Sequence, residues 1–95
     1  MRILVKVQIP TELGNKLVRD HNFIKNIEDY IKKYNVEAAY FAETNGERTV
    51  FYVMQLPSPD EIAKAVEPLF QTFNGRVEIH PAMDLADLKK AFSNT

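Results

Sequence analysis

The first nine residues alternate strictly in polarity. Ile3, Val5, Val7 and Ile9 fall on one side and Arg2, Leu4, Lys6 and Gln8 on the other, the pattern of a half-buried strand, which Pro10 stops. Beyond it Leu13, Leu17, Ile24, Ile27, Ile31 and Tyr34 recur at helical spacing, with Thr11 placed as N-cap and Asn35 at the close. The polar run Asp20-His21-Asn22 interrupts that stripe, so a kink or break is expected there. Two runs rich in aromatic and β-branched residues follow, 36–43 and 48–56, with Thr44-Asn45-Gly46-Glu47 between them. Asn-Gly suits a two-residue type I′ turn, where both central residues need positive φ. That turn sets Glu43 opposite Arg48, Phe41 opposite Val50 and Ala39 opposite Tyr52, with Ala42, Tyr40 and Ala38 meeting Thr49, Phe51 and Val53 on the reverse side.

Ser58-Pro59-Asp60-Glu61 announces a second helix: Ser58 as cap, Pro59 in the first position and Glu61 completing a capping box. Its stripe is Ile62, Val66, Leu69, Phe70 and Phe73; Pro68 lies inside it and predicts a kink or restart near Glu67. Asn74-Gly75 ends this helix. Val77 and Ile79 then alternate with Arg76, Glu78 and His80 in a fourth strand halted by Pro81, and Asp84 can cap a short helix bearing Leu85, Leu88 and Phe92. The order β-α-β-β-α-β plus a terminal helix is that of the ferredoxin-like split βαβ, an α+β fold. Right-handed crossovers place both helices on one face of a four-stranded antiparallel sheet ordered 4-1-3-2.

Ninety-five residues suffice for one core, hence one domain over 1–95. Twelve basic against thirteen acidic side chains leave a net charge of −1, with no general attraction to nucleic acid or to anionic membrane. Arg48-Thr49-Val50-Phe51-Tyr52-Val53 also lacks the glycine and spacing of an RNA-recognition strand. The absence of cysteine excludes disulfides, thiolate metal sites and thiol nucleophiles. With no long apolar stretch, the expectation is a cytoplasmic protein without membrane span, cofactor or metal.

Two helices cover one sheet face and leave the other for water or a partner. The aliphatic sides of the first and fourth strands, Ile3, Val5, Val7, Ile9, Val77 and Ile79, are assigned beneath the helices, which turns Leu4, Lys6, Gln8, Arg76, Glu78 and His80 outward. Both sides of the central hairpin are mostly apolar. Glu37, Glu43 and Arg48 make one of them wetter, so Glu37, Ala39, Phe41, Val50, Tyr52 and Met54 are assigned to the open face. Leu4, Phe41, Val50, Tyr52 and Met54 then form too large an apolar patch for a solvated face, beside too many charges for a sealed one. A second copy closing the face in part, with a pocket left between, satisfies both.

This arrangement resembles the dimeric α/β-barrel superfamily, in which two ferredoxin-like subunits pack their open faces together. Its C-terminal half, a glycine turn into an aromatic strand, then Pro57-Ser58-Pro59-Asp60-Glu61-Ile62, then Val77-Glu78-Ile79-His80-Pro81-Ala82-Met83-Asp84-Leu85-Ala86-Asp87-Leu88, is similar to a group of small uncharacterised bacterial proteins. The resemblance implies a homodimer through the open sheet face. It does not choose a function, because relatives on that fold include cofactor-free monooxygenases, haem-degrading enzymes, isomerases and stress-response proteins. The haem-degrading relatives use a tryptophan, which this chain lacks.

The best candidate chemistry lies on the fourth strand. Glu78 and His80 project from one side about 7 Å apart at the backbone, and a carboxylate beside an imidazole holds one tautomer and raises its basicity. Lys6 and Gln8 on the neighbouring strand offer a cation and an amide to a developing oxyanion, and Tyr52 and Met54 are expected to wall the pocket. Two classes remain open: a homodimeric domain with a small-molecule pocket on its open face, and a small cofactor-free enzyme, monooxygenase- or isomerase-like, using His80 between subunits.

Overall fold

In the computed structural model, which describes residues 1–93, the chain runs β1(Arg2–Gln8), α1(Thr11–Leu17), α2(Phe23–Lys33), β2(Ala38–Thr44), β3(Glu47–Gln55), α3(Pro59–Phe73), β4(Arg76–Pro81) and α4(Leu85–Phe92). The four strands form one antiparallel sheet in the order β2-β3-β1-β4, the ferredoxin-like arrangement read in reverse. The long first helix of the pattern is two helices, broken at Asp20-His21-Asn22, where the Asp20 carboxylate accepts the Asn22 amide at 2.8 Å. Asn45 and Gly46 take positive φ of 56° and 81°, and the hairpin pairs in the register that turn dictates, Glu43 with Arg48 and Tyr40 with Phe51. Among the described residues, no helix is long and apolar enough to cross a membrane.

Helix ends depart from expectation in instructive ways. Pro10, not Thr11, is the N-cap of α1, and the Thr11 amide is satisfied from a distance, donating to the Glu47 carboxylate at 2.9 Å. Ser58 caps α3 by position and Pro59 takes the first turn, but the Ser58 side chain makes no cap bond, and Glu61 reaches out to Lys64 instead of back. The reciprocal box forms at α4, where Asp84 and Asp87 exchange side-chain-to-amide bonds of 2.8 and 2.9 Å. α3 runs unbroken through Pro68. Proline removes the amide that would bond the Lys64 carbonyl, and the Tyr34 hydroxyl donates to that carbonyl at 3.2 Å, supplying the missing partner from α2. Entry to β4 needs glycine, because a Cβ on Gly75 would sit 2.0 Å from the Gln8 carbonyl oxygen.

The core lies between the sheet and α1, α2 and α3. Ile3, Val5, Val7 and Ile9 of the β1 strand and its exit are buried there, as are Ala65, Leu69 and Phe73 of α3. Ile79 shares that side with Val5 but is 39 % exposed, because β4 is an edge strand at the limit of the helical cover. The hairpin faces the opposite way from the sequence assignment. Val50, Tyr52 and Met54 pair with Val7, Val5 and Ile3, so all three point into the core. The charges used to orient the hairpin sit at its ends and take local partners: Glu43 accepts the Gly46 amide, Glu37 pairs with Arg2, and Arg48 lies along α1 at Gly14. Polarity at strand ends therefore says nothing about which side of the middle is buried.

Candidate functional site on the open sheet face

The uncovered face is a set of rows across the strands. One row reads Tyr40, Phe51, Lys6, Glu78; the next reads Ala38, Val53, Leu4, His80; a third reads Ala42, Thr49, Gln8, Arg76. Each follows from period-two alternation combined with β1 lying between β3 and β4. The face is graded. Its β2–β3 half is apolar and aromatic, with Tyr40 67 % exposed and Phe51 and Val53 half-buried, and its β4 half carries the charges.

Glu78 joins the polar half together. Its carboxylate stands 3.4 Å from Lys6 Nζ and 3.5 Å from His80 Nε2. The Lys6 stem is half-buried while Glu78 and His80 are open to solvent. Screening by water makes such pairs weak in free energy, so the row adds little to the stability of the fold. With an imidazole, a carboxylate and an ammonium in line, it can accept and donate hydrogen bonds to a polar ligand or to a facing protein surface.

The three other candidates do not join the Lys6–Glu78–His80 group. Gln8 is buried and fully engaged, its amide donating to Glu47 at 2.9 Å and its carbonyl accepting from Asn45 at 3.2 Å. It braces the hairpin turn instead of facing a ligand. Tyr52 and Met54 are on the helix side: Met54 is fully buried, and Tyr52 stacks on Tyr30 with ring centroids 5.1 Å apart. The sequence reading missed Glu47, whose carboxylate gathers Gln8 and both the amide and hydroxyl of Thr11. Those bonds, that of Gln8 first, hold its pKa below the ordinary glutamate value. Its partners are far away in sequence, so no local motif marks it. Among the described residues, no group of three or more histidine and carboxylate side chains could hold a metal ion.

A family model described as a domain of unknown function, DUF3303, matches residues 7–95. The chain belongs to the DUF3303 family. No curated protein matches it. Among solved structures, this DUF3303 chain is similar to a formyltetrahydrofolate deformylase from Pseudomonas putida KT2440, with a TM-score of 0.52 and 8% identity over 86% of this chain and 29% of that one. It therefore spans less than a third of the deformylase, and the likeness is one of fold. Two de novo designed proteins are also similar: Ferredog-Diesel, at TM-score 0.49 and 14% identity over 85% of each chain, and Foldit4, at 0.49 and 21% over 88% of this chain and 99% of that one.

Proposed function

We propose that the protein is a homodimeric domain whose copies pair their open sheet faces, with the Lys6–Glu78–His80 row left beside the join as a place for a small polar ligand. The observation that carries this reading is the apolar half of the open face, where Tyr40, Phe51, Val53 and Leu4 adjoin on the side away from the core packed by α1, α2 and α3. Contiguous apolar patches of this kind mark interaction sites, and a twofold pair is the commonest way to close one. A second apolar surface points the same way. Every residue of α4 is exposed, with Leu85 and Leu88 on its outer stripe, and its first turn is tied by Asp84 and Asp87 to Arg2, at 3.3 and 3.5 Å. Arg2 alternates in phase with Leu4 and Lys6, so α4 is anchored on the side where the second copy would sit.

Light scattering at micromolar concentration should return twice the 10.9 kDa chain mass. A persistent 10.9 kDa particle would overturn the reading. A second reading, a cofactor-free enzyme built on His80, is favoured by the Glu78 carboxylate standing within ion-pair distance of both His80 and Lys6. Under it, His80→Ala abolishes a ligand-dependent rise in unfolding temperature, scored over small aromatic and acyl compounds, and leaves the dimer intact. No such rise in the wild type removes this second reading.

A further inference from the structure

On the helix side, two tyrosines meet beside a pocket. Tyr30 and Tyr52 stack, and the Tyr30 hydroxyl donates to the Ala65 carbonyl at 2.6 Å. Tyr52 is 1 % exposed, yet among the described residues its hydroxyl has no hydrogen-bond partner and is not sealed against protein atoms either. Tyr52 lines a partly open pocket of about 150 Å³ between α2 and α3, with Leu17, Phe23 and Leu69 as apolar walls and Asp20, Asn26 and Thr72 as polar lining. A space of about 150 Å³ is of the size that accommodates one benzene ring. A mostly apolar lining with one free hydrogen-bond donor is the usual composition of a small-molecule site. Burial keeps the phenol protonated by pushing its pKa up to about 12, so it stands ready as a donor. The apolar walls penalise any charge, and the Asp20 carboxylate repels anions in particular.

We propose that this cavity binds a small uncharged molecule, about one ring in size, that presents a hydrogen-bond-accepting oxygen to the Tyr52 hydroxyl. The site lies on the opposite side of the sheet from the proposed dimer face and stands whether or not that pairing occurs.

The test is a methyl-labelled full-length chain titrated with acetophenone, ethylbenzene and benzoate and read at Leu17, Ile27 and Leu69. Acetophenone should give saturable shifts at these residues, and benzoate should bind at least tenfold more weakly, a charged group being the poorer guest by roughly that margin or more. In Tyr52→Phe, which removes only the hydroxyl, the affinity ratio of acetophenone to ethylbenzene should fall about tenfold, the loss of one hydrogen bond. If circular dichroism shows that variant unfolded, Thr72→Phe on the exposed edge of the cavity tests the same site, and should block acetophenone. Absence of saturable shifts, benzoate binding as tightly, an unchanged ratio in folded Tyr52→Phe, or undiminished binding in Thr72→Phe would each overturn the proposal. None of these outcomes bears on the particle mass by which the dimer is judged.

Discussion

Phe51 and Tyr52 are adjacent aromatic residues of β3 with opposite surroundings. Tyr52 is packed between Tyr30 and the aliphatic row of β1, while Phe51 lies half-buried on the open face between Tyr40 and Lys6. Nothing in their chemistry demands this: phenylalanine is the more hydrophobic, yet tyrosine is the one inside. What separates them is a strand partner. Val5 stands opposite Tyr52 and Lys6 opposite Phe51, so the charge on β1 decides which side of β3 the helices cover. The helix side is covered by the chain's own helices, whereas the open side carries its apolar residues without that cover.

A charge on each face should break the two sides in different ways. Val5→Asp places an unpaired carboxylate in the centre of the core and should cost more than about 4 kcal/mol, leaving the chain unfolded by circular dichroism. Phe51→Asp should convert the dimer to a monomer in light scattering. It should also leave the helical signal intact and change monomer stability by no more than about 1 kcal/mol, as for surface substitutions in general. Equal unfolding by both variants would erase the distinction between the faces.

Ionisation sharpens the contrast. Burial raises the pKa of both core phenols, that of Tyr52 to about 12, and the neighbouring Tyr52 and Tyr34 add to the rise at Tyr30. For an acid raised in the folded state, the native form favours the protonated group. Stability is then full below the unfolded tyrosine value of about 10 and is lost as pH climbs from there towards 12. Denaturant titrations across that range should show the decline, and Tyr52→Phe should lessen it. The smallest effect belongs to Glu47. Its pKa is lowered, so its contribution is present above the ordinary glutamate value and is lost as pH falls through the folded one. Glu47→Gln should lower stability at neutral pH and flatten the acid limb of the stability profile.

The fold was legible wherever a local signal existed. Alternation in β1, Asn45-Gly46 and the Pro59 entry to α3 each act within a few residues, and together they name the strands, their order and the hairpin register. The neighbourhood of Lys6, Glu78 and His80 followed from alternation and strand order alone. The facing of the hairpin did not, because it depends on how β3 slides along β1, a non-local match that the Asn-Gly turn does not constrain. Tyr52 and Met54 were therefore placed on the wrong side, although their alignment with Ala39 and the residues around it was right. Gln8 alternates in phase with Lys6, but the pull of Glu47 and Asn45 decides its role, and neither is near it in sequence. The cavity under Tyr52 comes from the separation of two helices, which no strand pattern records.

The central position of β1 bears on how the protein is made. Of the four strands it is synthesised first, but its two neighbours are β3, residues 47–55, and β4, residues 76–81. Each contact closes a long loop, and the second waits for the late part of the chain. A nascent chain therefore holds its most aliphatic strand with both edges unpaired while the β2–β3 hairpin, joined by a two-residue turn, can already close by itself. During that interval the exposed Ile3-Leu4-Val5 run is the segment on which misassembly would begin, and Lys6 directly after it is the charge that discourages it. The same lysine that later faces Glu78 across the finished sheet thus acts, during synthesis, as the guard of a strand still waiting for its partners.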